Sequence, residues 1–542
     1  MKLKNIITAS FVVLGLSACT KLDQKLQSSI VYDPTSGSGN VTALLNGTYN
    51  DFQNLLTGVN GLLQLECNSS DESLVPTRGG DWDDGGVWRQ VHAHTWTAIH
   101  PDVKAAFNQL GQMESDAIST LAFNPTPAQA AEALFLRSVA QFYFLDLFGR
   151  VPYREAADYN SIKPAPVYEA DAAVTNLVTT LTTVIGQLPA GNTSGQANVN
   201  AARFLLMKVL LNKGAFVNRA APTFDPADMA QVISLGNDII GSGQYNLTPE
   251  YFDNFGPNNA TTSKEGIWVW PNNGSANING ITTGNTNQRW MNTLHYNSWD
   301  ATGVYGSAGW NGFSTVADFY NTFEGHGDGT ANTVIDTTKD KRLGGRFYAG
   351  ATDVSGLRPG LLAGLQVNQH GVAETDRQGN PLTFTPDVHL VETDPNLLER
   401  TGIRVIKYPP DYAAYNGGNQ RNQFQIFRYA DVLLMVAEAK MRTGDDAGGL
   451  LLVNQLRLAR GASAVVSMPL VNDADVTDPN TLLAERGREL YYENWRRQDL
   501  IRFGMFLKPW ALKPTDDAKY LLFPIPPDQL IANPNLTQNE GY

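Results

Sequence analysis

Residues 127 to 148 read PAQAAEALFLRSVAQFYFLDLF, and this stretch decides the fold class. Plotted on a helix, one wide apolar face includes Val139, and Tyr143 and its neighbours make much of the opposite face apolar as well. A helix that is apolar nearly all round is a buried one. Pro127 suits the first turn of such a helix and Gly149 suits its end. The stretch therefore predicts a long helix at the centre of a helical protein.

Several other stretches repeat this helical periodicity. Helices are predicted at about 41–56, 103–120, 168–187, 199–218, 226–241, 426–443, 447–460 and 481–503. Most of them follow one another in pairs with short connections, as tetratricopeptide-like hairpins do, although the period of about 34 residues of those repeats is missing. In the last helix, Glu485 precedes Arg488 by three residues and Glu493 precedes Arg497 by four. This spacing predicts a salt-bridged helix.

Two long segments interrupt the helices, at about 60–100 and 243–425. They are rich in Gly, Asn, Thr and aromatic residues and show little helical periodicity. Irregular insertions of this length usually carry function. The predicted fold class is mainly α, with tetratricopeptide-like helical hairpins forming a scaffold, long irregular loop insertions and minor β structure. We expect a single domain over 41–542.

The N-terminus has the features of an export signal. Two lysines precede an apolar run that is too short to span a bilayer, and residues 16 to 19, Leu-Ser-Ala-Cys, follow it. This tetrapeptide resembles a bacterial lipobox. We expect residues 1–18 to be a lipoprotein signal peptide and Cys19 to carry acyl chains such as palmitate, with 19–40 as the lipidated N-terminus and linker. The alternative is an ordinary signal peptide with an incidental cysteine.

Composition limits the partners and the class of protein. The chain has 542 residues, of which 42% are hydrophobic and 17% charged, so a packed core is expected and disorder is excluded. The 53 acidic and 40 basic residues give a formal charge of −13. This balance argues against nucleic acid, because binding to phosphates needs a surplus of Lys and Arg.

The sequence carries no clear catalytic motif. None of the seven histidines is followed by Glu, so the metalloprotease pattern is missing, and neither a Walker loop nor Gly-x-Ser-x-Gly occurs. The paired carboxylates of a glycosidase need only the right separation in space, and 53 acidic residues make some pair inevitable. We expect a protein that is not an enzyme, with a surface glycosidase as the enzymatic alternative.

Two patterns in the sequence resemble metal sites. His92 and His94 alternate along the chain with His100 nearby, but a third ligand at proper spacing is not evident. Residues 81 to 86, Asp-Trp-Asp-Asp-Gly-Gly, resemble the opening of a calcium loop, but the twelfth position of the EF-hand register is His92 rather than Glu. We expect no cofactor and no metal at the functional site, while a structural calcium ion outside the EF-hand template stays open.

The aromatic residues of the two insertions suggest sugar binding. A sugar ring has an apolar face of C–H groups and an equator of hydroxyls, so its site pairs an exposed aromatic plane with carboxylate, amide and guanidinium groups. The candidate substrate-binding residues are Asp71, Arg78, Asp81, Trp82, Trp88, Trp96, Trp290, Trp299, Tyr305 and Trp310. The competing interpretation is that the rings anchor the loops in the core, because most tryptophans are largely buried.

Several motifs, in a fixed order along the chain, resemble the SusD/RagB family of surface nutrient-binding lipoproteins. The motifs are FGRVPY at 148–153, GWNG at 309–312, RYADVLLMVAEA at 428–439, NQLR at 454–457, ERGREL at 485–490, WRRQDL at 495–500, FPIP at 523–526 and NPNLTQN at 533–539. Arg428, Asp431 and Glu438 lie on or beside an otherwise apolar helix. We expect them to pair within the scaffold.

The resemblance implies a helper in nutrient import. Such a lipoprotein is anchored to the outer membrane at the cell surface, covers a TonB-dependent transporter of the SusC type and passes oligosaccharide to it without breaking a bond. The alternative is a protein-interaction scaffold or a peptide-binding lid on the same transporter.

The binding residues of the family lie in variable loops. They carry over to Arg78, Asp81, Trp82 and Trp88. Residues 107–113 depart from the pattern, because relatives commonly have Trp and Tyr there.

Overall fold

The computed structural model describes residues 40–191, 195–278, 280–282, 288–294, 296, 309–330, 333, 335–344, 358–367, 372–411 and 420–542. The predicted signal peptide and Cys19 lie outside these residues. Val41 to Tyr542 form one compact unit.

The structure is dominated by α-helices. In chain order they are α1 (Val41–Thr57), α2 (Val87–His92), α3 (Pro101–Ala122), α4 (Pro127–Phe148), α5 (Ala170–Ile185), α6 (Val199–Val217), α7 (Pro226–Gly241), α8 (Asn259–Thr262), α9 (Gln288–Met291), α10 (Ala317–Tyr320), α11 (Tyr429–Arg442), α12 (Asp446–Ala459), α13 (Leu482–Leu490), α14 (Arg496–Arg502) and α15 (Pro527–Ala532). Shorter turns are a π-helix, Leu63–Cys67, and 3₁₀ segments at Asp84–Gly86, Ala156–Asp158, Tyr251–Asn254, Lys341–Leu343 and Ala518–Leu521.

The long helices form an array of hairpins. Helix α1 packs against α3, α4 against α5, α6 against α7, and α11 against α12. Neighbouring pairs are joined by the contacts of α3 with α4, α5 with α6, and α7 with α11. Each helix therefore buries its apolar side against the helices on either side of it. The predicted scaffold of tetratricopeptide-like hairpins is confirmed.

Helix α4 lies at the centre of this array, as its sequence predicts. Its residues from Phe135 to Phe148 are all buried. Thr126 and Gln129 form a capping box at its start, and Gly149 ends it with a φ of 70°. A left-handed residue at this position favours glycine, because it has no Cβ to clash with the preceding turn.

Short strands fill the loop-rich segments. They are β1 (Thr77–Arg78), β2 (Arg150–Pro152), β3 (Val167–Glu169), β4 (Gly266–Trp270), β5 (Asn277–Ile278), β6 (Ile281–Thr282), β7 (Gly360–Leu362), β8 (Gly364–Leu365), β9 (Thr383–Phe384), β10 (Val391–Glu392), β11 (Arg404–Ile406) and β12 (Phe424–Arg428). Antiparallel pairs form between β2 and β3, β4 and β12, β5 and β6, β7 and β11, and β8 and β9, whereas β1 and β10 pair in parallel. The minor β content matches the prediction.

The predicted helix over 481–503 is wrong as a single element. The chain forms α13 and α14 instead, with a break in which Tyr492 and Asn494 have φ values of 57° and 65°. The Glu485–Arg488 pair exists at 2.6 Å, inside α13. Glu493 does not pair with Arg497, because the break turns its carboxylate toward other cations.

Buried ion pairs connect the helices to the strands. Arg428, at the end of β12, contacts Glu265 and Glu493 at 2.7 Å and Glu489 at 3.1 Å. Arg460 contacts Glu265 at 2.7 Å and Glu489 at 2.9 Å. All five residues are buried. We call this set the Arg428 network.

A second buried set of ion pairs includes the other motif residues. Asp431 pairs with Lys208 at 2.7 Å and with Arg486 at 3.0 Å. Glu438 pairs with Arg502 at 2.8 Å. The expectation that the charged residues of the motifs pair within the scaffold is confirmed. The charged residues of the motif at 428–439 therefore hold the scaffold together.

Candidate ligand-binding site

Four aromatic rings from two distant segments meet in one cluster, which we call the aromatic platform: Trp82, Trp88, Trp310 and Phe313. The centroid of the Trp82 ring lies 5.0 Å from that of Trp88, 6.5 Å from Trp310 and 5.6 Å from Phe313. Trp310 keeps 39% of its surface exposed, Trp82 is half-buried and Trp88 is buried. The platform therefore presents its Trp310 side to solvent and has its Trp88 side in the core.

Close packing fixes the position of the Trp82 ring. Its Nε1 donates a hydrogen bond to the carbonyl oxygen of Trp310 at 2.7 Å. A Cβ built on Gly312 would lie only 2.4 Å from Cε2 of Trp82, so the ring lies directly on the glycine backbone. Trp82 also has a φ of 59°, which is uncommon for a bulky residue. Such strained positions cluster at functional sites.

Polar groups border the platform, and we call Asp81, Tyr296 and Arg377 the polar rim. The exposed Asp81 carboxylate accepts a hydrogen bond from the Tyr296 hydroxyl. The Arg377 guanidinium lies 3.8 Å from the centroid of the Tyr296 ring, and its Nε donates to Glu399 at 2.6 Å. Burial, followed by the hydrogen bond to Asp81, raises the pKa of Tyr296 to about 12, so its hydroxyl stays protonated at neutral pH.

Two buried arginines hold the segments that carry the platform. Arg78 donates to Ser314 Oγ at 2.8 Å and to Thr401 Oγ1 at 2.9 Å. Arg404 donates to Asn311 Oδ1 at 2.8 Å and also to the Ser314 hydroxyl. Asn311 directly follows Trp310, and Ser314 directly follows Phe313. These arginines therefore position the platform from within the protein.

Several predicted site residues are buried, and the prediction of ligand contact is corrected for them. Asp71 forms a two-point ion pair with Arg496, with both distances 2.6 Å. Arg78 is 1% exposed and Trp96 is 1% exposed. The Trp96 indole donates to the Tyr542 hydroxyl at 2.7 Å. Asp71 and Arg78 are buried because residues 61–78 run through the core instead of forming a surface loop, whereas Trp96 lies beyond that stretch and packs against Tyr542.

The prediction that Trp88 contacts the ligand is also corrected, because Trp88 is buried. It is 5% exposed, and its Nε1 donates to Asp84 Oδ2 at 2.8 Å. Its ring packs edge-on against Trp82 and Phe313. Trp88 therefore supports the platform from the core.

Three further predictions fall outside what the structure describes. Trp299 and Tyr305 lie outside the described residues, and for Trp290 only the backbone, within α9, is described. Their proposed contacts with a ligand stay predictions. The fold brings the adjacent residues Asp81 and Trp82 next to Trp310, which lies about 230 residues further along the sequence.

Sequence reasoning missed Tyr296 and Arg377. Both lie in the second insertion, where many polar residues surround the tryptophans, and neither belongs to a motif. In the sequence, Asn297 and Asp300 on either side of Trp299 hint that this segment carries hydrogen-bonding groups. The meeting of Tyr296 and Arg377 beside Asp81 depends on tertiary structure, which no local pattern encodes.

His92 and His94 are hydrogen-bonded to groups other than a metal ion. The ring nitrogens of His92 each lie 2.9 Å from a backbone carbonyl oxygen, of Ser73 and Ala511. Those of His94 lie 2.6 Å from Asp516 and 2.7 Å from the carbonyl of Ser69. Both rings are thus used in packing. Within the described residues, no three His, Cys, Asp or Glu side chains are arranged to hold a metal ion.

The carboxylates of residues 81–86 point to separate partners. Asp81 bonds to Tyr296, Asp83 pairs with Arg89 at 2.6 Å, and Asp84 accepts from the Trp88 indole. A calcium ion needs several oxygen ligands around one point. The described residues of this loop do not provide such a point.

The arrangement of platform and rim suits non-covalent binding. The Trp310 ring offers a flat apolar surface, Asp81 offers acceptor oxygens, and Arg377 offers donor N–H groups. These are the groups that contact the face and the hydroxyls of a sugar ring.

Comparison with known sequences gives a consistent family match. The model described as the SusD family matches residues 264–518. The starch-binding protein SusD of Bacteroides thetaiotaomicron is 27% identical over 451 residues, which cover 77% of this chain and 73% of that protein. A SusD-like protein of Formosa agariphila is 34% identical over 121 residues, 22% of this chain and 24% of that protein.

Solved structures show the same fold. A SusD-like protein of Bacteroides fragilis superimposes with a TM-score of 0.65 at 21% identity, over 94% of this chain and 99% of that chain. The surface glycan-binding protein A of Bacteroides thetaiotaomicron, solved in complex with laminarihexaose, gives a TM-score of 0.64 at 17% identity, over 92% and 98% of the two chains.

Proposed function

This chain belongs to the SusD family, and on that premise we propose that it binds oligosaccharides at the aromatic platform and delivers them to a TonB-dependent outer-membrane transporter of the SusC type, without catalysis. The observation that carries the proposal is the exposed face of Trp310 beside Trp82, bordered by Asp81, Tyr296 and Arg377.

The names of two relatives support the class of ligand. One is called a starch-binding protein, and the other was solved with laminarihexaose. Starch and laminarihexaose are neutral glucans, whose rings offer C–H faces to an indole. We therefore propose a neutral oligosaccharide as the cargo of this chain.

We propose that acyl chains on Cys19 attach the protein to the outer membrane. Residues 1–18 serve as the signal peptide, Cys19 carries the acyl chains and 19–40 connect them to the body. Two or more acyl chains give stable attachment, because each buried CH₂ contributes about 0.8 kcal/mol. Among the described residues, no helix has the length and apolar character that crossing a bilayer requires.

A binding experiment tests the first half of the proposal. The soluble chain that begins after Cys19 is applied to a glycan array, and the oligosaccharides that bind are titrated calorimetrically. We expect dissociation constants of roughly micromolar to millimolar. Failure of every glycan to bind, together with binding of peptides, would favour the peptide-binding alternative.

Analysis of the bound sugar tests the absence of catalysis. After long incubation the oligosaccharide is recovered and its mass is measured. We expect the full-length sugar. Shortened products at a rate proportional to protein concentration would identify a glycosidase instead.

Co-purification tests the second half of the proposal. The full chain with an affinity tag is isolated from outer membranes, with Cys19→Ala as the matched variant. We expect a large β-barrel transporter to accompany the wild-type chain, and the variant to be lost from the membrane fraction. A barrel that co-purifies while no glycan binds would favour the scaffold alternative.

A further inference from the structure

The array of helical hairpins ends at α12. This helix packs against α11, and among the described residues no further helix packs extensively on its other side. Its inner side is buried through Gly449, Val453 and Leu456. The terminal unit of a stacked helical array normally has a polar outer face, because no neighbouring unit covers it. Charged or polar residues are therefore expected on the outer side of α12.

The outer side of α12 is instead largely apolar. Leu451 is 71% exposed and Leu458 is 62% exposed, and a spacing of seven residues places both on one side of the helix. Gln455, between them, is also exposed. Helix α7 of the same array has the usual polar outer side, with Gln231 and Asp238 exposed and no large exposed hydrophobic residue. Large apolar side chains that are exposed together mark interaction surfaces.

The segment that follows α12 extends this surface. Asn454 holds the segment against the helix, because its Nδ2 donates to the carbonyl oxygen of Val465 at 2.8 Å and its Oδ1 accepts from the Val465 N–H at 2.9 Å. The next residue, Val466, is 97% exposed. We call the surface formed by Leu451, Gln455, Leu458 and Val466 the α12 face.

The α12 face carries no charge, although the chain has a formal charge of −13. Between residues 447 and 472 the only charged residues are Arg457 and Arg460, and both are buried in ion pairs with Glu485 and Glu489. In a two-fold dimer the same surface of both copies meets itself, so like charges at the contact would oppose association. A surface without charge avoids this repulsion. The α12 face therefore fits a second copy of the chain.

The spacing of the two leucines also fits a two-fold contact. If two copies of α12 pack antiparallel about an axis midway between Leu451 and Leu458, each Leu451 lies opposite Leu458 of the other copy. Both leucines are then removed from water. Gln455 lies beside the axis, and its amide both donates and accepts, so the two copies of this side chain can bond to each other.

We propose that the α12 face is a self-association surface, through which two copies of this chain form an antiparallel two-fold dimer. The helix has 14 residues and is about 21 Å long, so the contact is smaller than a standard protein–protein interface. We expect a dissociation constant of roughly tens to hundreds of micromolar. The inference goes beyond the proposed oligosaccharide binding and uses none of the residues of the platform or the polar rim.

Sedimentation velocity tests the dimer. The soluble chain that begins after Cys19 is measured from about 1 µM to about 500 µM, a range that spans the expected dissociation constant. Its average sedimentation coefficient should rise with concentration toward that of a dimer. Leu458→Glu should weaken association about tenfold or more, because it places a carboxylate in the apolar contact. Ala172→Glu adds the same charge on the exposed surface of α5, and as the matched control it should associate like the wild-type chain.

A mixture of two variants tests the antiparallel arrangement. Leu451→Lys alone should dimerise as poorly as Leu458→Glu alone. In an equal mixture, position 451 of the lysine variant faces position 458 of the glutamate variant, so one contact of the dimer has opposite charges and the other keeps its two leucines. We expect association of the mixture to be restored severalfold relative to either variant.

Three results would overturn the inference. The first is a wild-type chain that stays monomeric over the whole concentration range. The second is an equal loss of association in Leu458→Glu and Ala172→Glu, which would indicate general charge repulsion, or no loss in either, which would place the dimer contact elsewhere. The third is a mixture that associates no better than its components. Melting temperatures of all variants should match that of the wild-type chain, because the substituted positions are exposed.

Discussion

Trp310 and Trp82 have different roles in the proposed site. Trp310 is 39% exposed and offers its ring to a ligand, whereas the half-buried Trp82 fills the space between Trp310, Trp88 and the backbone of Gly312. A rigid ring loses little conformational entropy on binding, because it is already fixed before the ligand arrives. Binding at this site therefore depends on the exposed ring and on the packing that holds it.

Truncation of the exposed ring should weaken binding without unfolding the protein. For Trp310→Ala we expect a loss of about 0.5–1.5 kcal/mol in binding free energy, or roughly two- to tenfold in affinity. The melting temperature should change little, because much of the ring is in solvent. Leu451→Ala, at a residue that is 71% exposed, is the control and should leave affinity unchanged. Calorimetric titration measures the affinity, and a thermal melt measures the stability. If the melting temperature falls along with the affinity, Trp310 is a core residue and not a ligand contact.

A methyl group at Gly312 should displace the Trp82 ring. The added Cβ would lie 2.4 Å from Trp82 Cε2 and 2.8 Å from the carbonyl oxygen of Asn292, so the ring has to move. We expect Gly312→Ala to lower oligosaccharide affinity severalfold. Gly80→Ala, where the new Cβ meets nothing within 4 Å, is the matched control. Unchanged affinity in Gly312→Ala would show that the position of Trp82 is irrelevant to binding.

The sequence predicts which segments are aromatic but not which rings are exposed. Trp82 and Trp96 lie in the same insertion with similar neighbours, yet Trp96 is buried against the C-terminal residue Tyr542. The partner that buries it is more than 440 residues away. Exposure of Trp310 and burial of Trp96 are therefore properties of the tertiary structure.

At the scale of secondary-structure elements, Arg428 joins β12 to the segment that precedes β4 and to α13. It is buried with Glu265, Glu489 and Glu493, and Arg460 shares two of these carboxylates. Charges inside a protein are tolerated only when they are paired. Removal of Arg428 takes one cation away from three buried carboxylates and leaves them with an excess of negative charge.

Arg428→Met should be strongly destabilising. We expect a loss of about 3–5 kcal/mol in the free energy of unfolding, because breaking a buried pair leaves an uncompensated charge in the interior. Arg203→Met is the control, because Arg203 and Asp238 form a partly exposed pair at 3.6 Å whose loss should cost about 1 kcal/mol or less. Urea unfolding at neutral pH measures both. Equal effects of the two substitutions would contradict the role given to the network.

Helical periodicity predicts the long hairpins well and fails at the C-terminal pair. The apolar pattern of α4 and α11 is local, so it is visible in the sequence. In 481–503, the charged residues keep a helical spacing even though the chain breaks between α13 and α14. Glu493 turns to Lys407 and Arg428, and Arg497 turns to Asp146. Tertiary ion pairs thus override the local i to i+4 pattern.

At the scale of the whole molecule, buried carboxyl groups fall into two classes. Burial alone would raise the pKa of Glu265 and of Glu438, but Arg460 and Arg428 near the first, and Arg502 and Arg442 near the second, outweigh it and lower each pKa to about 2. At Glu72 burial is the largest influence and outweighs the lowering effects of Cys67, Arg496 and Lys407, so its pKa rises to about 8. The carboxylates of the first class are ionised in the folded protein, whereas Glu72 is largely protonated at neutral pH.

These two classes predict a stability maximum at mildly acidic pH. The lowered pKa of Glu265 and Glu438 contributes stability above the ordinary value of 4.5, and this contribution is lost as pH falls from there toward about 2. The raised pKa of Glu72 favours the folded state as pH falls from about 8 toward 4.5. We expect the combined contribution of these three groups to the free energy of unfolding, measured in urea, to be largest near about pH 5, whereas His94, whose pKa burial lowers to about 4, reduces stability as pH falls from 6.5.

Glu72→Gln supplies the control for this profile. The variant should lose the rise in stability between about pH 8 and pH 5 and keep the fall below pH 4, because only the raised group is removed. A stability that increases steadily from pH 4 to pH 8 in the wild-type chain would contradict the assignment of the two classes.

The helical scaffold and the aromatic platform together lead to one central claim, that this protein holds an oligosaccharide against an exposed indole. The most direct measurement is a crystal structure of the soluble chain grown with an oligosaccharide selected on the array. We predict a sugar ring with its C–H face within about 4 Å of the Trp310 ring and hydroxyls bonded to Asp81 or Arg377. A sugar bound elsewhere, with Trp310 free of contact, would contradict the claim.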